Sequence, residues 1–231
     1  MELSLLKTLN ADRAARRAAI LVTRMADGSQ RLVRKDEDYS SDPLAGEFDK
    51  RFRSGKSGVV PAKEGDVFLN VSVPAPRLVI IGAVHISQAL VPMAGIAGLD
   101  VTVIDPRTAF ATEERFPGGG LKAEWPEDAL KDAPLDSYTA LAAVTHDPKI
   151  DDYPLMEALK AGCFYVGALG SRKTHGKRLE RFQDAGLDPA LSDRIDAPIG
   201  LDIGAASPEE IAVAVLAAII RALRKEPETD T

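Results

Sequence analysis

The distribution of apolar and polar residues divides the chain into two parts near residue 76. In the first part, apolar and basic positions at helical spacing are followed by short apolar runs and a hairpin turn signal. The predicted elements are a helix over 1–18, a strand over 19–25, a turn at Asp27-Gly28, strands at 31–33 and 66–73, and a stiff linker at Pro74-Ala75-Pro76. We therefore expect a small α+β domain over residues 1–75.

The second part alternates short apolar strands with helices. The predicted strands are 77–81, 100–104, 139–144 and 164–169, and the predicted helices are 86–97, 152–161, 172–185 and 207–224. The last helix begins with a capping box formed by Ser207 and Glu210, with Pro208 at the first helical position. This alternation favours a mostly parallel sheet covered by helices on both faces. We therefore expect a Rossmann-like α/β domain over residues 76–231, which binds ligands at the carboxyl ends of its strands.

Charge is distributed unevenly between the two parts. The 231 residues carry a formal net charge of −6, with 13 basic and 11 acidic residues in 1–75 and 16 basic and 24 acidic residues in 76–231. A domain as acidic as the second is a poor general binder of nucleic acid, because nucleic-acid phosphates favour basic surfaces. Any phosphate that it binds must therefore be met by a local group of amides and cations.

Cys163 is the only cysteine in the sequence, so one chain can form neither an internal disulfide nor a cysteine zinc cluster. It directly precedes the predicted strand 164–169, at the opposite end from the ligand-binding rim, where burial as a small apolar residue is favoured over a role as a sulfur carrier or nucleophile. Residues 1–10 lack the apolar core of a signal peptide, and no uncharged apolar run reaches the roughly 18 residues of a membrane span. We expect a soluble cytoplasmic protein.

A strand-to-helix turn, Gly82-Ala83-Val84-His85, follows the predicted strand 77–81. Asp105 ends the next strand, 23 residues after Gly82. In a dinucleotide-binding unit, such a turn meets the pyrophosphate and such an acid meets the ribose. The pattern G-x-G-x-x-G keeps only its first glycine here, because Val84 and Ser87 occupy the other two positions. The sequence leaves open an NAD(P)-binding turn and a turn that packs without binding a dinucleotide.

A second strand-to-helix turn concentrates groups that bind anions. It contains Gly167, Gly170, Ser171, Arg172, Lys173 and Thr174, which supply two hydroxyls and two cations next to the amides of a helix N-terminus. The spacing differs from that of the Walker phosphate loop. The sequence predicts either an anion cradle or a tight turn in which Ser171 caps the helix and the cations are solvated.

The three histidines of the chain, His85, His146 and His175, all follow predicted strands. Because the carboxyl ends of parallel strands share one edge, we expect the three imidazoles on one rim, with Thr145 and Asp147 beside His146. Hydrogen bonding or proton transfer to a bound ligand is the favoured role, since imidazole titrates near neutral pH. The less favoured alternative is a three-histidine metal site.

The segment that follows Asp105 is polar and rich in glycine. It contains Arg107, the stretch Glu113–Pro117 and the run Gly118-Gly-Gly120. This composition is typical both of a mobile flap over a site and of an ordinary surface loop, and the sequence leaves both interpretations open.

Several short motifs occur together along the second part of the chain. They are Gly82-Ala-Val-His85, Val103-Ile-Asp105-Pro-Arg107, Glu114-Arg-Phe-Pro117, Thr145-His-Asp147, Tyr165-Val-Gly-Ala-Leu-Gly-Ser-Arg172 and Pro198-Ile-Gly-Leu-Asp-Ile-Gly204, followed by Ser207-Pro-Glu-Glu-Ile-Ala212. In this order and spacing they resemble the xanthine dehydrogenase accessory protein family of the XdhC/CoxI type over about residues 77–224. The resemblance depends on the agreement of all the motifs, since no single motif would suffice.

The resemblance implies a helper protein that binds molybdenum cofactor (molybdopterin), protects it, supports its sulfuration and delivers it to a molybdenum hydroxylase such as xanthine dehydrogenase. It implies a cofactor chaperone without turnover of its own, with the hydroxylase and a sulfurtransferase as partners. A pterin cofactor carries a terminal phosphate that suits the cradle and a polar ring that suits the rim. The implied contact residues are Gly82, Ala83, Val84, His85, Asp105, Arg107, Thr145, His146, Asp147, Gly167, Gly170, Ser171, Arg172, Lys173 and Thr174.

Two departures from the family pattern leave other functions open. Val84 replaces the second glycine of a Gly-x-Gly-His turn, and residues 1–75 are shorter than the usual amino-terminal domain, with Asp27-Gly28 as a faint counterpart of its glycine-rich segment. One alternative is an NAD(P)-dependent oxidoreductase that uses Asp105 for the ribose. Another is a degenerate paralogue that acts as a scaffold for a partner without binding cofactor. The general frequency of oligomers makes a homodimer the expected assembly.

Overall fold

The structure is a computed structural model that describes residues 3–118 and 120–224. It divides after Pro74 into two compact units. The first unit contains α1 (Leu3–Ala14), β1 (Ala19–Arg24), β2 (Gln30–Arg34), α2 (Ala45–Ser54), β3 (Gly58–Val60) and β4 (Val67–Ser72). Its strands form an antiparallel sheet in the order β2-β1-β4-β3, and the predicted turn at Asp27-Gly28 joins β1 to β2.

The second unit is built around a six-stranded parallel sheet. Its elements are β5 (Arg77–Ile81), α3 (His85–Ile96), β6 (Asp100–Ile104), β7 (Leu121–Lys122), α4 (Pro126–Asp132), β8 (Thr139–Ala143), α5 (Pro148–Lys160), β9 (Tyr165–Ala168), α6 (Arg172–Asp184), α7 (Pro189–Ser192), β10 (Ile195–Asp196) and α8 (Pro208–Arg224). The strand order is β10-β9-β8-β5-β6-β7, with every pair parallel. This is the strand order of a Rossmann fold. The predicted fold class is therefore confirmed.

Helices cover both faces of this sheet because successive residues of each strand point to opposite faces. In β5, Leu78 and Ile80 belong to one apolar core, and Val79 and Ile81 belong to the other. The first core includes buried residues of α3 and α8, and the second includes buried residues of α4, α5 and α6. A strand buried on both faces has apolar residues at nearly every position, which explains the continuous apolar runs of the sequence. Within the described residues, no helix is long and apolar enough to cross a membrane.

The chain changes its direction of travel across the sheet between β5 and β8, which are neighbours. Open α/β sheets bind ligands in the crevice at such a switch point, outside the carboxyl ends of the strands. Here the loops that follow β5 and β8 pack closely. Gly82 has a φ of +119°, and a Cβ added to it would lie 2.8 Å from Cγ2 of Thr145. Glycine at this position therefore allows the two loops to meet.

Candidate functional site

The turn after β5 is held by the acid at the end of β6. Asp105 is fully buried, and it accepts hydrogen bonds from the backbone amide of Ala83 at 2.7 Å and from the amide and guanidinium of Arg107 at 2.8–2.9 Å. Burial alone would raise the pKa of Asp105, but the hydrogen bonds from Arg107 and Ala83 lower it below its ordinary value. The carboxylate is therefore ionised at neutral pH, and both of its oxygens are occupied by protein donors.

Arg115 holds the other side of the same turn. Its Nη1 donates to the carbonyl oxygens of Ala83 and Phe110 at 2.9 and 2.8 Å, and its Nη2 donates to Oε1 of Gln88 at 2.8 Å. The segment that was predicted as a flap or a loop is thus tied to the turn. Both backbone polar groups of Ala83 are engaged, which leaves its amide unavailable to a dinucleotide pyrophosphate.

The loop after β8 is organised by Thr145. The Oγ1 of Thr145 donates to Oδ1 of Asp151 at 2.7 Å and accepts from the backbone amide of Asp147 at 2.9 Å. Asp147 in turn caps α5 by accepting from the amide of Lys149 at 3.0 Å. His146 lies between Thr145 and Asp147. It is exposed and has a φ of +66°, which is uncommon for a residue other than glycine. The loop thus sets His146 and Asp151 at the carboxyl edge of the sheet.

The turn before α6 matches the capping interpretation of its serine. The Oγ of Ser171 accepts a hydrogen bond from the amide of Thr174 at 3.2 Å, so Ser171 is the N-cap of the helix. Gly170 has a φ of +131°, a backbone conformation that side chains rarely allow. Arg172 is exposed at the first position of α6.

A basic cavity of about 360 Å³ opens at the beginnings of α5 and α6. The residues that line it are His146, Pro148, Asp151, Lys173, Thr174, Lys177, Arg178 and Arg181. Four of these side chains are cations and one is an acid. Arg181 is held by Asp152, with 2.6 Å from Nε to Oδ2 and 3.0 Å from Nη2 to Oδ1. The cavity therefore supplies the local positive charge that an acidic domain needs in order to bind an anion.

Arg178 forms a buried wall of this cavity. Arg178 is only 3% exposed, and its Nη2 donates a hydrogen bond to the carbonyl oxygen of Leu169 at 3.1 Å. Within the described residues, its Nε and Nη1 have no hydrogen-bond partner. Burial lowers the pKa of Arg178, while Asp151 and Asp152 oppose this shift. A buried guanidinium with open donors is costly, and a bound anion would satisfy them.

Asp151 lies in the same cavity and is 1% exposed. Its Oδ1 is bound by Thr145, whereas its Oδ2 has no partner among the described residues. Burial raises the pKa of Asp151 to about 6, against the opposing effects of Thr145 and Arg178. This acid therefore changes its protonation state close to neutral pH.

The structure brings only some of the predicted site residues to the cavity. His146, Lys173 and Thr174 line it, whereas the predicted contacts Gly82, Ala83, Val84, His85, Asp105, Arg107, Thr145, Asp147, Gly167, Gly170, Ser171 and Arg172 do not. Gly167 serves packing, because a Cβ there would lie 2.6 Å from Cγ1 of Ile199. Sequence reasoning missed Asp151, Lys177, Arg178 and Arg181. The spacing of four residues between Lys173, Lys177 and Arg181 was the available signal, since it places three cations on one face of α6.

The remaining titratable candidates have other surroundings. His85 begins α3 and is exposed, while His175 lies in the first turn of α6, and burial and the nearby Arg178 lower its pKa. Among residues 3–118 and 120–224, no three His, Cys, Asp or Glu side chains are close enough together to hold a metal ion. Cys163 is fully buried, as predicted, and burial raises the pKa of its thiol to about 12.

A family model described as the XdhC Rossmann domain matches residues 78–219. The chain belongs to the XdhC family. The match covers all six strands of the parallel sheet except Arg77, the first residue of β5, and it includes both the turn after β5 and the basic cavity.

Three curated relatives are 30–31% identical in sequence to parts of this chain. They are uncharacterized protein YqeB of Escherichia coli (31% identity over 70% of this chain and 30% of the relative), a probable xanthine dehydrogenase subunit of Bacillus subtilis (31%, over 69% and 47%) and molybdenum cofactor insertion chaperone PaoD of Escherichia coli (30%, over 68% and 43%). The chain therefore spans less than half the length of each of these relatives.

A solved structure supports the fold along nearly the whole chain. It is a crystal structure described as a xanthine dehydrogenase from Bacillus halodurans, with a TM-score of 0.62 and 23% identity. The similarity covers 99% of this chain and 66% of that one. At this identity the likeness establishes the fold.

Proposed function

We propose that this XdhC chain binds molybdenum cofactor and assists its sulfuration and insertion into a molybdenum hydroxylase such as xanthine dehydrogenase. The names of two relatives support the proposal, one as a molybdenum cofactor insertion chaperone and one as a probable xanthine dehydrogenase subunit. In this proposal the chain holds and transfers its ligand without turnover of its own.

The observation that carries the proposal is the buried guanidinium of Arg178 with open donors on Nε and Nη1. The terminal phosphate of a pterin cofactor fits such a group, and Lys173 and Lys177 add positive charge at the same cavity. Asp151 and His146 would meet polar parts of the ligand. When bound in the hydroxylase, the cofactor supplies the molybdenum redox chemistry, and this chain supplies binding and protection.

The sulfur for sulfuration comes from a separate sulfurtransferase in this proposal. Cys163 is the only thiol of the chain, and it is fully buried with its pKa raised to about 12. A thiol of that kind is a poor carrier of sulfur, because the thiolate is the reactive form.

The geometry does not favour the NAD(P) alternative. The Ala83 amide donates a hydrogen bond to the Asp105 carboxylate, although in an NAD(P) site these groups would meet the pyrophosphate and the ribose. Thr145 also packs against Gly82 at the switch point. The scaffold alternative differs from the proposal in one measurable property, which is cofactor binding.

The test is anaerobic binding of molybdenum cofactor released from a purified molybdenum enzyme. The full chain is mixed with the released cofactor and separated by gel filtration, and bound pterin is measured by fluorescence after oxidation. We expect wild-type protein to retain the cofactor, and we expect the double variant Lys173→Gln/Lys177→Gln to bind at least about tenfold more weakly, since a loss of about 1.4 kcal/mol suffices for that factor.

The matched control is the double variant Lys131→Gln/Lys160→Gln. It also removes two exposed lysines from the second unit, and both pair with acids on their own helices rather than lining the cavity. A wild-type chain that retains no cofactor overturns the proposal. In that case, capture of a molybdenum hydroxylase would support the scaffold, and enhanced NADH fluorescence on mixing would support the oxidoreductase.

A further inference from the structure

Two residues that line the basic cavity carry buried polar atoms of opposite kind that have no hydrogen-bond partner among the described residues. Arg178 offers N–H donors on Nε and Nη1, and Asp151 offers Oδ2, which accepts a hydrogen bond when ionised and donates one when protonated. The two residues are 3% and 1% exposed, so bulk water does not solvate these groups. A ligand that completes the pair must carry anionic oxygen for the arginine and must share a proton with the aspartate.

Phosphate monoesters meet both requirements. Their second pKa is about 6, and burial raises the pKa of Asp151 to about the same value. One proton can therefore lie between Oδ2 of Asp151 and a phosphate oxygen, whichever group carried it before binding. Sulfate and phosphodiesters are much stronger acids and carry no such proton, so at neutral pH they would place an unprotonated oxygen against the Asp151 carboxylate.

We infer that Asp151 and Arg178 form a subsite for the terminal phosphate of a monoester and that this subsite rejects sulfate and phosphodiesters. Arg178 binds the charge at the buried wall, and Asp151 selects the ligand through the shared proton. The subsite itself is defined by these two residues. Only the identity of the group that carries the phosphate rests on the proposed function. For the cofactor, it implies the form that ends in a phosphate monoester, without a nucleotide added through a pyrophosphate.

The surroundings of Asp151 determine how selection changes with pH. Arg178 faces it from α6, Thr145 donates to it from the loop after β8, and Arg107 in the loop after β6 is close enough to interact with its charge. Asp147, the N-cap of α5, acts on Arg107 in the same way, and His146, Lys173 and Lys177 line the cavity. Below about pH 6 Asp151 is protonated before any ligand arrives, and it can then donate to sulfate as well.

The experiment compares the affinities of phenyl phosphate, sulfate and diphenyl phosphate for the full chain by isothermal titration calorimetry at pH 7.5 and pH 5.0. At pH 7.5 we expect phenyl phosphate to bind at least about tenfold more tightly than the other two. At pH 7.5, titrations in buffers with different ionisation enthalpies should show uptake of about one proton per phosphate, because both groups are mainly unprotonated before binding. At pH 5.0 the preference over sulfate should fall to within about threefold, because Asp151 is already protonated.

Variants separate selection from general anion binding. Asp151→Asn, whose amide donates at every pH, should bind sulfate more tightly at pH 7.5 and lose the preference for the monoester. Asp132→Asn, at the exposed end of α4, is the matched control and should keep it. Arg178→Met should lose binding of phenyl phosphate. If this buried variant does not fold, Lys173→Gln/Lys177→Gln, which changes two exposed residues of the same cavity, should weaken that binding instead.

Equal affinities for phenyl phosphate and sulfate at pH 7.5, a preference that survives in Asp151→Asn, or no binding of phenyl phosphate would each overturn the inference. Failure of the proposed function gives a different result. Phenyl phosphate would then be selected while molybdenum cofactor is not retained. Conversely, retention of the cofactor without monoester selection would remove the subsite and leave the proposed function standing.

Discussion

The carboxylate of Asp105 accepts a hydrogen bond of 2.7 Å from the backbone amide of Ala83, so the acid that directly follows β6 holds the turn that follows β5. In a dinucleotide-binding domain, an acid at this position faces the ribose. Here it faces the protein, and the same carboxylate binds Arg107. Asp105 and Ala83, which occupy the positions that bind cofactor in a dinucleotide-binding domain, thus stabilise the loops around the site.

Replacing Asp105 with asparagine should destabilise the protein by about 2–3 kcal/mol, because a buried charge pair and an amide partner are broken together. Since the folded pKa of Asp105 is lowered, its contribution is present above its ordinary pKa of 3.8 and is lost as pH falls through the folded value. Urea denaturation followed by circular dichroism measures this effect. Asp100→Asn, at the exposed beginning of the same strand, should change stability by less than about 0.5 kcal/mol.

A substitution at Gly82 should test the close packing at the switch point. Gly82→Ala combines a φ of +119° with a Cβ 2.8 Å from Cγ2 of Thr145, and we expect a loss of about 2–4 kcal/mol. Gly98→Ala has a similarly unfavourable φ of +84° but open space around the Cβ, so it should cost only about 1 kcal/mol. Equal losses in thermal unfolding would show that the contact with Thr145 does not matter.

The burial of Asp151 should make stability depend on pH in a direction unusual for an acid. Its folded pKa of about 6 exceeds the ordinary 3.8, so its contribution is fully present below 3.8 and is lost as pH rises through 6. Asp151→Asn should therefore gain about 1–3 kcal/mol relative to wild type between pH 4 and pH 8. Urea titrations in buffers free of phosphate and sulfate measure the difference, and a difference that is flat over this range would contradict the assignment.

The thiol of Cys163 should be inert in the folded protein. It is fully buried, and its pKa is raised to about 12, so almost no thiolate exists at pH 8. A chromogenic disulfide reagent should release less than about a tenth of one equivalent from native protein within an hour, because reaction requires unfolding. In 6 M guanidinium chloride it should release one equivalent. Rapid reaction of the native chain would show that the strand end opens.

The sequence predicted the four longer strands of the parallel sheet accurately because these strands are apolar on both faces. Strands β5 and β6 have the predicted bounds, and α6 and α8 agree with the predicted helices to within one residue. Helix α2 was not predicted, because only Phe48 and Phe52 are buried in a stretch that is otherwise charged and contains Gly46. Strands β7 and β10 contain two residues each, which is too short for a periodic signal.

The site was harder to predict than the sheet because it combines faces of two helices. The sequence predicted His146, Lys173 and Thr174, which line the cavity, because they stand next to recognisable strand-to-helix turns. Arg178 lies further along the same helix, and nothing in its local sequence distinguishes it from a solvated cation. The sequence likewise gives no sign that Asp151 is buried, because acids in the first turn of a helix are usually exposed and favoured by the helix dipole.

The burial of the single cysteine also makes this chain suitable for site-directed labelling. A cysteine introduced at an exposed position, for example in place of Arg172 or Phe110, would be the only accessible thiol, because Cys163 is enclosed at the other end of the sheet. A fluorophore or spin label could then be attached without removing a native residue from the core. Distances between two such labels, one on α6 and one on the segment that Arg115 ties down, would report whether that segment moves when a ligand enters the cavity.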